Sequence, residues 1–255
     1  MVDAYIKIQI LHKLKLFNLA RAAAGWVQSY DPDRRKFFRQ FMSDTNNLVF
    51  DIGTNVGQFT EIFLRLGAKV ICVEPQNACY RFLQSRYKNC KRVIVINKAL
   101  DSEEGIQKKM YISKANALSS LSSRHIEASK NSGRYEQYQW EEIETVLTTT
   151  LDKLIDKFGI PAFCKIDVEG YELSVLKGLT QPMPYLSFEI SPESFEEACL
   201  CIDYLDDIGK MVFNFSGEAK TMKFADWIKL DAFKAWLNTV PNGRIFGDIY
   251  IHFLD

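Results

Sequence analysis

From residue 47 onward, short apolar runs alternate with amphipathic stretches of helical period. Residues 47–51, 69–73 and 92–96 are apolar runs of strand length, rich in Val and Ile. Between them, residues 58–66 repeat Phe59, Ile62, Phe63 and Leu66 on one side, and residues 77–87 also read as a helix. This is a strand–helix–strand–helix–strand order, which predicts a parallel sheet covered by helices on both faces. The rhythm returns after residue 145. A β-branched run at 145–150 predicts a strand, and a helix begins at Leu151. Residues 162–167 form an apolar strand that ends in an acid, followed by Gly170 and a helix to about Lys177. Strands at 185–189, 211–215 and 249–253 follow, with a long helix opened by Pro192 and running to Asp207. The expected fold class is α/β, a mostly parallel, doubly wound sheet. No internal repeat is visible.

Two segments break the pattern. Residues 101–144 are polar and serine-rich, and a long insert inside a compact domain is usually a functional loop or a linker. Residues 1–44 read as helical, with a stripe of Tyr5, Ile6, Ile10, Leu14 and Phe17 and interleaved Lys7, Lys13, Lys15 and Arg21. A second helix begins at Asp31-Pro32, with proline in its first turn. The division expected is an N-terminal helical extension over 1–44 and one main domain over 45–255. Residues 101–144 form a substrate-side insert within that domain.

Composition narrows the function. The 255 residues are 47% hydrophobic and 25% charged, ordinary globular values that exclude disorder over most of the chain. Lys plus Arg is 32 and Asp plus Glu is 32. Zero net charge argues against nucleic acid as a partner. The extension is basic, which suits a helical cap packed on the main domain or, less simply, a peripheral contact with a membrane surface. Six cysteines without a CxxC pair and only three histidines argue against a zinc site. No signal peptide or membrane-span-length apolar run is present, so the reducing cytoplasm is the simplest compartment, with free, mostly buried thiols. Oligomeric state leaves no mark in the sequence.

The candidate chemistry lies at strand ends, where open parallel sheets bind ligands. The first strand runs into Asp51-Ile52-Gly53-Thr54-Asn55-Val56-Gly57. Gly53 lets the backbone turn tightly, and Gly57 permits close packing where the helix begins. The spacing is not the G-x-G-x-x-G of dinucleotide enzymes, and Asn55 stands where that fingerprint wants glycine. Asp51 would repel a pyrophosphate but attract an ammonium such as that of S-adenosylmethionine. Glu74, 21 residues after Gly53, ends the second strand, where an acid accepts from ribose hydroxyls. The third cluster is Lys165-Ile166-Asp167-Val168-Glu169-Gly170-Tyr171-Glu172, on a strand expected beside the first. Helix capping accounts for Glu169 or Glu172 singly. It accounts less well for an apolar strand ending in three carboxylates.

From about Leu48 to Ser191, and more weakly to Phe253, the chain resembles the FkbM family of S-adenosylmethionine-dependent methyltransferases. The pieces that carry the resemblance are the 49–57 loop, Val73-Glu74-Pro75, Asn97-Lys98-Ala99-Leu100, Ser119-Ser120-Leu121 and Thr149-Thr150-Leu151-Asp152. The most diagnostic is the 165–172 motif, continued by Val175-Leu176-Lys177-Gly178. The resemblance implies a Rossmann-like class I methyltransferase fold and O-methylation of a small molecule, a glycan hydroxyl or a natural product. By resemblance, Asp51, Gly53, Asn55 and Gly57 line the methionine portion of the cofactor, and Thr54, Gln58 and Phe59 also bind it. Glu74 with Pro75 holds the ribose, and Ala99 and Leu100 flank the adenine. Asp167 lies by the transferred methyl. Ser119, Ser120, Glu169 and Glu172 fall on the acceptor side, and Residues 1–44 fall outside the resemblance.

Methyl transfer to oxygen asks the protein mainly for alignment, plus removal of the hydroxyl proton. Asp167 or Glu169 is the expected base. A divalent cation held by the carboxylates is the alternative, though no metal is assigned. His125 could serve as a base on the insert, and a solvated loop histidine is its plainer reading. Glu189 points to the crevice edge or caps the helix after Pro192. Tyr135, Tyr138 and Trp140 could stack on a sugar or pack the insert onto the body. Rival functions are a non-catalytic S-adenosylmethionine-binding module and a nicotinamide oxidoreductase.

Overall fold

The computed structural model describes residues 31–113, 118–133, 135, 138–241 and 244–254. The helix expected before residue 31 lies outside them. Eight strands form one sheet: β1 (Leu48–Ile52), β2 (Lys69–Val73), β3 (Val93–Ile96), β7 (Phe163–Ile166), β8 (Tyr185–Ile190), β9 (Met211–Ser216), β10 (Ile228–Lys229) and β11 (Gly247–Phe253). Their order is β10-β9-β11-β8-β7-β1-β2-β3. Strands β3, β2, β1, β7 and β8 are parallel, and β11 is antiparallel to both β8 and β9. Chain order reverses between β1 and β7, so a crevice opens where the two strands part toward α2 (Gln58–Arg65) and α6 (Glu172–Leu176).

The sheet is buried on both faces, as parallel sheets are. Alternation sorts the β1 side chains: Leu48, Phe50 and Ile52 join the larger core, while Val49 joins a second core on the opposite face. The larger core is completed by α5 (Leu151–Phe158), α7 (Phe195–Asp206) and α8 (Leu230–Leu237). The second contains α1 (Pro32–Arg39), α2 and an aromatic slab in which Phe41 stacks on Phe163 at 4.7 Å and on Tyr250 at 5.4 Å. Asp31 caps α1 by accepting from Asp33 N at 2.9 Å, with Pro32 at the first helical position. The helix expected to start at Asp31-Pro32 is therefore packed on the sheet through Phe37 and Phe38.

The insert differs from expectation. A polar loop is expected over 101–144, but residues 99–149 hold a second small sheet of β4 (Ala99–Leu100), β6 (Trp140–Thr149) and β5 (Gln107–Ser113), with α4 (Ser123–Asn131) between β5 and β6. The strand expected at 145–150 starts five residues earlier, at Trp140. The start of β6 is exposed on both faces, at Glu141, Glu142 and Ile143, and its buried alternation begins only at Val146 and Thr148. Met110, Val146 and Ala99 form a small core of their own. The helix expected from Pro192 begins at Phe195, because Ser194 N bonds back to Ser191 O in a turn at 3.1 Å. Strand β10 and helix α8 have no counterpart in the sequence reading. The six cysteines are free thiols, four of them buried. Among the described residues, no helix is long and apolar enough to cross a membrane.

Candidate active site

The loop after β1 is built by close approach. Gly53 N and Thr54 N both donate to Val73 O of β2, at 3.0 and 3.3 Å. Gly53 has φ +76°, and a Cβ there would stand 1.8 Å from Asp167 O. Only glycine lets the loop press against the end of β7. Asn55 follows with φ 52°, and Gly57 caps α2 with φ 82°.

A cleft with about 730 Å³ of open space lies above these strand ends. Gly53, Thr54, Asn55, Gln58 and Phe59 line it from the first loop, and Glu74 and Pro75 from the second. Ala99, Leu100 and Ser119 line the far wall, and Asp167 and Glu169 the near one. Twelve of the residues expected at the site therefore share one cleft. Lys98, Met110, Leu121, Val168 and Tyr171 also line it, and the sequence reading assigned none of them a place there. Met110 lies on β5 and Leu121 between β5 and α4, parts of the insert whose sequence carries no strand pattern. Tyr171 lies within the 165–172 motif, and its hydroxyl accepts from Lys108 Nζ of β5 at 2.7 Å.

Five expected residues do not line this cleft. Asp51 is buried beneath the loop, where Thr60 Oγ1 donates to it at 2.6 Å. Burial pushes its carboxyl up to about 6. Gly57 packs on α3 (Asn77–Tyr87), where a Cβ would meet the Tyr87 hydroxyl at 2.7 Å, so its task is helix packing. Ser120 Oγ donates to Glu169 O at 2.7 Å and braces the acidic loop from behind. Glu172 points inward and accepts from Val168 N at 3.1 Å and Gly170 N at 3.4 Å. It clamps its own loop and does not face an acceptor. Burial pushes its carboxyl up to about 8. Glu189 stands off the wall, but one of its oxygens lies within 4.8 Å of oxygens of Asp167 and Glu169. Burial first, then Glu169 and Asp167, hold its carboxyl well above the usual range.

Electrostatics separates the two candidate bases. Lys165 is 2% exposed, and its Nζ contacts Asp167 Oδ2 at 2.9 Å and Asp248 Oδ1 at 3.3 Å. Burial alone would lower its basicity, but the two carboxylates outweigh burial and keep it protonated. Its ammonium also sits 4.4 Å from the centre of the Phe59 ring. Asp167 is thus committed to an ion pair. Glu169, with φ 55° next to Gly170 at φ 79°, is turned into the cleft by a left-handed kink.

The cleft fits an S-adenosyl nucleoside. Glu74 is 2% exposed, and its two oxygens accept from Asn55 N at 2.7 Å and Gln76 N at 2.8 Å. Those bonds fix its orientation, while burial pushes its carboxyl up to about 7. Asn97 Nδ2 ties the same strand end by donating to Glu74 O at 3.0 Å. Asn55 Oδ1 is buried without a hydrogen-bond partner, an orphaned acceptor that a donor from a ligand would satisfy. Ala99, Leu100 and Met110 supply an apolar wall beside Pro75 for a planar base. Trp140 faces the insert: its Nε1 donates to Leu118 O at 2.6 Å, which favours the packing reading over sugar stacking.

No curated protein matches this chain. Several solved structures are similar over most of its length. An O-methyltransferase from Bacillus cereus in complex with SAH is 10% identical, with 100% of each chain covered and a TM-score of 0.42. The precorrin-6y C5,15-methyltransferase of Geobacter metallireducens is 9% identical, covering 86% of this chain and 87% of its own, with a TM-score of 0.41. An rRNA methylase from Streptococcus thermophilus is 14% identical, covering 87% and 94%, with a TM-score of 0.38. The assignment itself comes from the sequence family, since residues 51–232 match the methyltransferase FkbM domain. That span holds the glycine loop, Glu74, the insert and the 165–172 motif. With the class I strand order and a cleft shaped for the nucleoside, it overturns the nicotinamide reading: the chain belongs to the FkbM family of S-adenosylmethionine-dependent methyltransferases.

Proposed function

We propose that this protein methylates a hydroxyl oxygen of a small-molecule or glycan acceptor, with Glu169 as proton acceptor. One observation carries this reading: a left-handed kink, φ 55° at Glu169, turns that carboxylate into the cleft, while Lys165 holds its neighbour Asp167 at 2.9 Å. Lys165 pins the Asp167 carboxylate in place, whereas the backbone kink turns Glu169 into the cleft, where it can take the hydroxyl proton. Bound S-adenosylmethionine supplies a methyl carbon already activated by sulfonium. Glu74 and Asn55 hold the cofactor, the apolar wall excludes water from its base, and the loop behind Gly53 sets the depth at which it lies. Asp167 and Lys165 form a fixed pair under the reacting centre, which keeps net charge there low.

The test is methyl transfer from radiolabelled S-adenosylmethionine to a panel of methyl glycosides and phenolic or polyketide alcohols, with simple amines as controls. Incorporation into a hydroxyl compound, lost by at least about a hundredfold in Glu169→Gln with binding of S-adenosylhomocysteine retained, supports the reading. Exhaustive chelation at matched pH leaves that activity unchanged; its abolition would move the chemistry to a cation on the carboxylates. Cofactor binding with no transfer to any acceptor would favour a binding module. Membrane contact through the basic N-terminal stretch is a separate proposal: deleting residues 1–30 lowers partitioning onto anionic vesicles.

A further inference from the structure

His125 is a titratable group packed against the acidic loop and takes no part in cofactor binding or proton removal. It sits on α4 of the insert, where Ser122 Oγ accepts from His125 N at 3.1 Å and caps the helix. Its place in a polar insert predicts a solvated loop histidine; the structure instead leaves it 7% exposed. The ring lies directly over Gly170, where a Cβ would fall 2.4 Å from the imidazole. Its Nε2 stands 3.9 Å from Glu169 Oε2, and its Nδ1 is buried without a hydrogen-bond partner.

Three elements surround the ring. Glu169 faces it from the β7–α6 loop, and Glu193 acts on it from the segment before α7. Arg124, beside it on α4, is paired with Glu196. Burial holds the imidazole below the usual histidine range, and Glu193 opposes that only in part. The ring is therefore neutral at neutral pH and carries one proton on one nitrogen. The carboxylate within reach lies on the Nε2 side, so the proton belongs on Nε2. A purely apolar role would be filled at lower cost by Phe or Leu, because a buried nitrogen without a partner is unfavourable. What Phe or Leu could not supply is the Nε2 edge that faces the Glu169 carboxylate.

We propose that His125 is a positioning residue: its Nε2–H orients the Glu169 carboxylate toward the acceptor hydroxyl. The proposal rests on Glu169 as the proton acceptor. At 3.9 Å the pair is not yet hydrogen-bonded. A closure of about 1 Å brings it into range, as pairs in ligand-free sites often tighten on binding. In the reaction the acceptor oxygen bonds to the methyl carbon as the carbon–sulfur electron pair stays on sulfur. The hydroxyl proton passes to the Glu169 oxygen not held by His125. His125 keeps its own proton throughout.

The chain has only three histidines, so long-range nitrogen–proton NMR of the 15N-histidine-labelled protein with S-adenosylhomocysteine resolves each of them. Loss of one signal set in His125→Gln assigns the residue. The expected spectrum shows His125 as the neutral Nε2–H tautomer at pH 7, with its Nε2 signal displaced in Glu169→Gln. An Nδ1–H tautomer, a protonated ring at pH 7, or no response to Glu169→Gln would overturn the proposal. In methyl transfer with an acceptor from the panel, His125→Phe loses between about tenfold and a hundredfold in kcat. Its acidic limb moves to higher pH, since the carboxylate loses a donor. Affinity for S-adenosylhomocysteine is unchanged, and His125→Gln recovers most of the rate. Wild-type kcat and pH profile in His125→Phe, beside an inactive Glu169→Gln, would sink this inference and leave the base in place. Full activity in Glu169→Gln would remove the base and this inference together.

Discussion

Asp167 and Glu169 stand two residues apart on one loop, yet their surroundings give them different work. The ammonium of Lys165 holds Asp167, whereas a left-handed backbone kink swings Glu169 toward the insert and His125. A similar sorting applies to Glu74. Its carboxyl, pushed up to about 7 by burial, is best placed to accept ribose hydroxyls once it has lost its proton. Cofactor affinity should therefore fall as pH drops through about 7. Calorimetry should find S-adenosylhomocysteine bound up to about thirtyfold more weakly at pH 5.5 than at pH 8, since each unit below the pKa costs up to tenfold. Glu74→Gln should bind more weakly at both values and show a flatter pH dependence. An unchanged profile in the variant would detach Glu74 from the ribose.

At the scale of elements, the acidic loop between β7 and α6 is held from two sides. Ser120 on the insert accepts no part in the cleft but ties down Glu169 O, while Glu172 gathers the N–H groups of Val168 and Gly170. Glu172 has a folded-state pKa of about 8 against an ordinary 4.5. Between those values the folded chain holds a proton that the unfolded chain releases, so this group's contribution to stability falls as pH rises across that window. Glu172→Gln keeps an oxygen for the two N–H groups and carries no charge. Urea unfolding of that variant should show a shallower loss of stability from pH 5 to pH 8, with a gain at pH 8. Glu172→Ala leaves buried donors unpaired and should cost about 1–3 kcal/mol at both values. Equal curves for the Gln and Ala variants would mean that the clamp contributes nothing.

Over the whole molecule, the N-terminal helix α1 belongs to the structural core. Phe37, Phe38 and Phe41 close the sheet face opposite the larger core, and Phe41 lies flat across the neighbouring rings of Phe163 of β7 and Tyr250 of β11. Phe41→Ala should cost about 3–5 kcal/mol in urea unfolding. The resulting loosening near β7 should weaken S-adenosylhomocysteine binding less than it lowers stability, because the slab lies across the sheet from the larger core. A loss below about 1 kcal/mol would make α1 a detachable appendage. The pattern of apolar runs was enough to establish the alternation of strands and helices, the adjacency of the two glycine-and-acid strand ends, and a cofactor crevice between them. Those features follow from local periodicity and from the few topologies that a right-handed strand–helix–strand chain allows. Tertiary structure decided the rest. The insert strands were hidden because β6 begins with residues exposed on both faces, which leaves no alternation to read there. Glu172 and Glu169 read alike in sequence, and only the turn at Gly170 sends one inward and the other into the cleft. His125 and Glu169, 44 residues apart, meet only because β6 returns the insert to the body. No local pattern records such a contact, since its residues are ordinary where they stand and acquire a role only from what folds against them.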